Sequence, residues 1–226
     1  GEYTEMIRIK RIDFQNYRIA GTTSLSFDDP GNGYHMCGVI AENGTGKTTI
    51  LNAITWCLYG EEYQLKDADR ALPVINAKKL SGMLPDETAE VAVSMTIEDG
   101  DKEFVLTRRQ KVIRSQTDTG VPVPILDPRS EFSGTESDLS THESTRSLTP
   151  EEVDLLVADY FENSIHDFFF FDGEKLENFF SEKNAGSIRK SVEAIACTRS
   201  TGRRWCRSCA APSNCSILIY LACASV

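Results

Sequence analysis

Residues 41–49 read AENGTGKTT, and their types and spacing suit the holding of a phosphate chain. Glycines let a loop wrap so that backbone N–H groups converge on an anion. A lysine after the last glycine adds a point charge, and the hydroxyl beyond it is a hard oxygen ligand for Mg²⁺. The candidate contacts are Asn43, Gly44, Thr45, Gly46, Lys47, Thr48 and Thr49, with Thr48 on the metal. Ala41 stands where the strict pattern has its first glycine, at the end of a strand where a methyl group is tolerated. A second stretch, FFFFDGEKLENFF at 168–180, sets Asp172 and Glu174 around Gly173 inside an aromatic run. A solvated loop does not need so much aromatic surface, and a plain core segment would not carry two carboxylates.

These groups need elements to position them. YHMCGVI (34–40) is a short apolar run that reads as a buried strand leading into the glycine loop. KTTILNAITWCLY (47–59) reads as the helix that follows, with Gly60 as its C-cap, so that its positive end faces the anion. At the N-terminus, Ile7 and Ile9 share one face and Ile12 and Phe14 another. That period of two with one slip in phase predicts a strand with a bulge. TSLSF adds a short strand with Leu25 and Phe27 inward. Residues 90–113 hold two alternating runs joined by EDGD, a hairpin. TPEEVDLLVADYF (149–161) starts with a threonine cap, a proline and acids, and reads as a helix. Residues 115–150 are rich in Ser, Thr, Asp and Pro and read as an insertion or mobile loop.

The 226 residues suffice for a sizeable core, and 40% hydrophobic with 26% charged residues is the composition of an ordinary soluble protein. A net charge of −10 gives no general attraction to nucleic acid, so DNA contact would need a local basic patch. TRRQKVIR (107–114) offers Arg108, Arg109, Lys111 and Arg114 for that purpose, but reads more simply as the charging of an edge strand. No run reaches 18 apolar residues and no signal-peptide profile is present, so a cytoplasmic protein without membrane contact is expected. His35, His142 and His166 show no metal or triad spacing.

The stretch IRIKRIDFQNYRI…LSF…GVIAENGTGKTTILNAITWCLYG resembles the N-terminal half of an SMC-like, ABC-type ATPase head, the group that includes SbcC-type repair ATPases and DndD-like DNA modification proteins. Asn16, Tyr17 and Arg18 match its Asn-aromatic-Arg element, Asn43 the asparagine of its phosphate loop, and Leu58-Tyr59-Gly60 its helix end. The resemblance spans 6–195, strongest at 7–60 and 165–180, and Phe-Asp-Gly-Glu favours the DndD-like branch. It implies an α/β phosphate-loop NTPase with a mixed sheet and an antiparallel β lobe from 6–30 and 90–113. It implies ATP and Mg²⁺ as cofactors, with Asp172 standing for the Q-loop glutamine as a second metal ligand. Arg18 would touch nucleotide phosphate, unless it is only an exposed arginine at a strand end. Implied partners are DNA, a second head protomer or C-terminal lobe, and nuclease or DNA-modification subunits.

The expected organisation is a head half at 1–180, the start of a coiled-coil arm at 181–196, and a distinct tail at 197–226. Five of seven cysteines and four arginines crowd into that tail, which holds no acid and leaves −14 on the remainder (−10 less four positive charges). A misjoined reading frame explains the change best, and such a tail should have no fold of its own. A zinc knuckle at Cys206 and Cys209 and a membrane-tethered end are the other readings. No segment after 180 supplies a Walker-B pair, so hydrolysis is expected of the complete protein, and this chain should bind without turnover. A non-catalytic nucleotide-binding or interaction module and a stand-alone phosphate-loop kinase are the rival functions.

Overall fold

The computed structural model describes residues 8–27, 37–41, 46–62, 73–141, 145–161 and 219–223. The elements in chain order are β1 (Arg8–Tyr17), a 3-10 turn (Arg18–Ala20), β2 (Gly21–Ser26), β3 (Cys37–Ala41), α1 (Lys47–Tyr59) and α2 (Ala77–Gly82). They continue with β4 (Thr88–Asp99), β5 (Lys102–Gln116), β6 (Pro122–Asp138), β7 (Arg146–Ser147), α3 (Pro150–Tyr160) and β8 (Ile219–Cys223). Six strands form an antiparallel sheet in the order β2-β1-β4-β5-β6-β7, and β3 pairs with β8 in parallel. The fold is α/β, with the antiparallel lobe where the alternating runs predicted it.

Period two sorts the sheet into faces. Ile12 and Phe14 of β1, Val93 and Met95 of β4, and Leu106 of β5 are buried on the side that α1 covers. The phase slip in β1 is a bulge between Ile9 and Arg11 against β4. Every residue of α1 from Ile50 to Leu58 is buried. A helix buried all round belongs to the core rather than to the surface. Cys57 is wholly buried within α1, and its thiol donates to the carbonyls of Val93 (3.4 Å) and Leu106 (3.6 Å). Burial pushes that thiol up to about 12, so it acts as a small hydrophobe. Cys37, Asp172, the aromatic strand before it and residues 181–196 lie outside the described residues, Cys37 as regards its side chain.

Helix α3 begins as read. Thr149 accepts from the Glu152 backbone N–H (3.3 Å) while Glu152 accepts from that of Thr149 (2.8 Å), a reciprocal cap that adds about 1 kcal/mol.

Three expectations are corrected. Residues 115–150 are not a mobile loop: β6 pairs along β5 from Lys102↔Asp138 to Gln116↔Pro122, and β7 pairs with β6. The strand was hidden because its formation depends on the open side of β5. Flanked beyond β5 only by the two-residue β7, it lacks the buried alternation of an inner strand, and only Gly134 along it is buried. Consequently β5 is not an edge, since it lies between β4 and β6. Lastly, Ile219–Cys223 of the tail does adopt structure, running parallel to β3 from Cys37↔Ile219 to Ala41↔Cys223. A short apolar run can add to a strand edge whatever the composition around it.

Candidate nucleotide-binding site

Strand β3 ends at Ala41 and α1 starts at Lys47, so the glycine loop joins a strand end to a helix start. Gly46 is the N-cap, with φ 108° and ψ 15°. Left-handed backbone of this kind costs a residue with a Cβ roughly 1–2 kcal/mol. Space there is tight as well, since a Cβ at 46 would lie 3.1 Å from Ile19 Cγ2 and would push that methyl aside. Among the described residues no side chain caps the start of α1, and its first turn holds no acid. Most helices fill that position with an acceptor. Here the first N–H groups, followed at once by Lys47, Thr48 and Thr49, present donors and positive charge. That arrangement fits an anion and repels a cation. Lys47, Thr48 and Thr49 are half-buried, while Asn43, Gly44 and Thr45 lie outside the described residues.

The Asn16-Tyr17-Arg18 element meets the later part of α1, with Tyr17 against Trp56 and Arg18 on Glu62, while the next residue, Ile19, lies near Gly46 at the helix start. Asn16 has φ 53° and Arg18 φ 39°, conformations that cost of order 1–3 kcal/mol each. The surroundings over-determine them. The Asn16 backbone N–H donates to Thr22 Oγ1 (3.1 Å) and its side-chain amide to the Glu90 carbonyl (2.8 Å). Asn76 donates its backbone N–H to the Asn16 carbonyl (2.7 Å) and its side-chain amide to the Arg18 carbonyl (2.5 Å). The Arg18 backbone N–H donates to the Val74 carbonyl (2.8 Å).

Arg18 is not an exposed strand-end arginine. Its Nε and Nη2 donate to the two carboxylate oxygens of Glu62, and the two side chains are 9% and 12% exposed. The Tyr17 hydroxyl donates to the same carboxylate. The Tyr17 ring is fully buried, 5.6 Å from that of Trp56. Burial, then the neighbouring Glu62 charge, pushes the phenol well above its ordinary range, so the hydroxyl stays a donor.

Sequence reasoning missed Glu62 and Asn76. Two acids directly after the C-cap glycine were the available signal for Glu62, because nothing in a helix end calls for them. Asn76 had only the weak signal of an asparagine before a short helix, whose Lys79 N–H it caps at 3.0 Å.

The basic run 107–114 divides by parity. Arg108 and Arg114 are buried, whereas Arg109 is exposed and lies 3.7 Å from Glu90. Arg108 donates to the carbonyls of Cys57 (2.8 Å) and Leu58 (3.1 Å) and to Ser130 Oγ (3.1 Å), over the ring of Phe132 at 4.3 Å. It closes the negative end of α1 rather than charging an edge, and burial lowers its pKa. Arg114 keeps Nε and Nη1 buried, with no hydrogen-bond partner among the described residues. The described residues hold no cluster of three or more metal-ligating side chains. Among them no helix is long and apolar enough to cross a membrane.

Three comparisons bear on this geometry. The profile of a family described as AAA domain matches residues 11–196. The chain is 29% identical over 116 residues to the SbcC component of the nuclease SbcCD of Deinococcus radiodurans, covering 51% of this chain and 11% of that protein. It therefore spans about a tenth of the length of this relative. Among solved structures, the recombination mediator protein RecF-ATP in the RecFOR pathway aligns with TM-score 0.35 and 16% identity, over 54% of this chain and 29% of that one. Its RecF-ATPrS counterpart aligns at 0.31 and 15%, over 58% and 29%. The match over 11–196 takes in the strand, the left-handed glycine, the lysine and the uncapped helix start, and the chain belongs to the AAA domain family.

Proposed function

We propose that this chain is the ATP-binding N-terminal half of an SMC/SbcC-type ATPase head. The observation that carries the reading is the start of α1, where left-handed Gly46 leads into Lys47 and where, among the described residues, there is no side-chain cap and no first-turn acid. Backbone N–H groups from Gly44 to Thr48 would cradle the phosphates, with Asn43, Thr45 and Thr49 completing the loop. Lys47 would neutralise the terminal phosphates. Thr48, with Asp172, would hold Mg²⁺, which supplies charge neutralisation when bound. Arg18 would reach phosphate only by changing partner, since Glu62 holds it.

In the complete protein we propose hydrolysis of ATP, by water attack on the γ-phosphate, in DNA repair, recombination or defence-linked DNA modification. The SbcC relative supports the repair setting and a nuclease as partner, and Phe-Asp-Gly-Glu at 171–174 supports a DndD-like role. On this reading 1–180 is the head half, meeting a C-terminal lobe or a second protomer; 181–196 opens a coiled-coil arm, and 197–226 is a tail of unlike composition whose Ile219–Cys223 lies along β3. We place the protein in the cytoplasm, where ATP and DNA meet.

Titrating a fluorescent ATP analogue against the wild-type chain and Lys47→Ala tests the reading. The variant should lose binding with its circular dichroism unchanged, because Lys47 is half-buried and lies outside the hydrophobic core. Equal affinity of the two proteins refutes it.

A further inference from the structure

We infer that Glu62 is a positioning residue for nucleotide binding, a brace that holds the strained Asn16–Arg18 corner so that Ile19 stays seated on Gly46. The inference rests on the proposal that the α1 start binds ATP, and adds a residue that no loop motif contains.

The corner is costly to hold, with two non-glycine residues at positive φ within three positions. Asn76, Thr22 and the Glu90 carbonyl restrain it from the sheet side. Glu62 restrains it from the other side. It lies two residues beyond Gly60, the C-cap of α1, and takes three hydrogen bonds from Tyr17 and Arg18. The carboxylate thus ties the far end of α1 to the corner. The next residue of the corner, Ile19, touches the helix at its opposite end, where a Cβ on Gly46 would lie 3.1 Å from its Cγ2. The two contacts brace the corner against both ends of the helix that carries Lys47.

Ile19 is 62% exposed, so burial does little to keep it there. Its placement follows from the backbone that Glu62 and its neighbours fix. Without the carboxylate, a guanidinium 9% exposed and a buried phenol lose their shared acceptor. A buried charge that loses its closest counter-charge draws in water or moves toward it. The corner then relaxes from positive φ, Ile19 leaves Gly46, and the N–H groups at the start of α1 lose their fixed aim.

The test compares the wild-type chain with Glu62→Gln, Tyr17→Phe and Lys47→Ala. Fluorescent ATP and ADP analogues are titrated at 10 °C, with circular dichroism showing each protein folded and a thermal melt recorded without nucleotide. Glu62→Gln should weaken binding of both nucleotides by about two- to thirtyfold, the range for coupling through a contiguous network. Tyr17→Phe keeps the ring beside Trp56 but removes one of the bonds to Glu62, and should weaken binding by a smaller factor. A merely structural role would lower the melting temperature and leave the affinity of the folded protein unchanged.

Affinity in Glu62→Gln equal to wild type, with Lys47→Ala inactive, overturns the brace and leaves the ATP site standing. Tighter binding also overturns it, because Glu62 would then be withholding Arg18 from phosphate. Should Glu62→Gln fail to fold, Tyr17→Phe decides, and unchanged affinity there overturns the brace. A wild-type chain that binds no nucleotide overturns both proposals.

Discussion

Arg108 should be among the costliest single residues to remove from this fold, although it stands in a run that reads as surface charge. Its guanidinium satisfies the carbonyls of Cys57 and Leu58 in the last turn of α1 at 2.8 and 3.1 Å, reaches Ser130 at 3.1 Å and covers Phe132. It is 8% exposed. A hydrogen bond to a charged group contributes roughly 1.5–3 kcal/mol, and an orphaned buried carbonyl costs about 1–3 kcal/mol. Desolvation of the guanidinium offsets part of that sum, as its lowered pKa shows. Arg108→Ala should therefore cost about 3–5 kcal/mol, the scale of breaking a buried charged contact and leaving a void. Arg108→Met fills the space but leaves both carbonyls without their donor, at about 2–3 kcal/mol. Arg108→Lys keeps the charge near the negative end of the helix and can reach one carbonyl, at about 1–2 kcal/mol. Urea unfolding monitored by far-UV circular dichroism gives the three midpoints, with unchanged slope as the sign that only stability has moved. If Arg108→Met matches wild type within about half a kcal/mol, or lysine costs as much as alanine, the capping account is wrong.

At Gly134, where α3 sits on β6, an added Cβ would lie 3.0 Å from both Leu148 Cδ1 and Val153 Cγ2 and 3.1 Å from Leu106 Cδ2. Gly134→Ala should lower stability by about 1–3 kcal/mol through overpacking, and a thermal melt identical to wild type would show that α3 is not seated there. For Asp172, the proposed metal role predicts that Asp172→Ala weakens ATP binding in Mg²⁺ but barely alters it in EDTA, while Asp172→Gln keeps part of the metal effect. An unchanged affinity ratio with and without Mg²⁺ removes the aspartate from the site.

Local rules made much of this protein legible. The alternation of Ile12 and Phe14, the EDGD turn, the cap at Thr149 and the glycines bracketing α1 act through residues a few positions apart. The backbone geometry they impose survives in almost any tertiary setting. The phase slip in β1 could likewise be read as a bulge, because side-chain parity on a half-buried strand leaves no other way to keep both faces. Tertiary structure decided the rest. Whether 122–138 becomes a strand depends on an open side of β5, which no local pattern announces. Whether Arg108 meets solvent or the end of α1 depends on what covers one face of β5, since parity assigns a side chain to a face without saying what lies there. Glu62 meets Arg18 across 44 residues of chain only because α1 and the corner after β1 converge in space. A carboxylate carries no sequence mark of the guanidinium it will pair with, and that pairing comes into being only when both are taken out of water together.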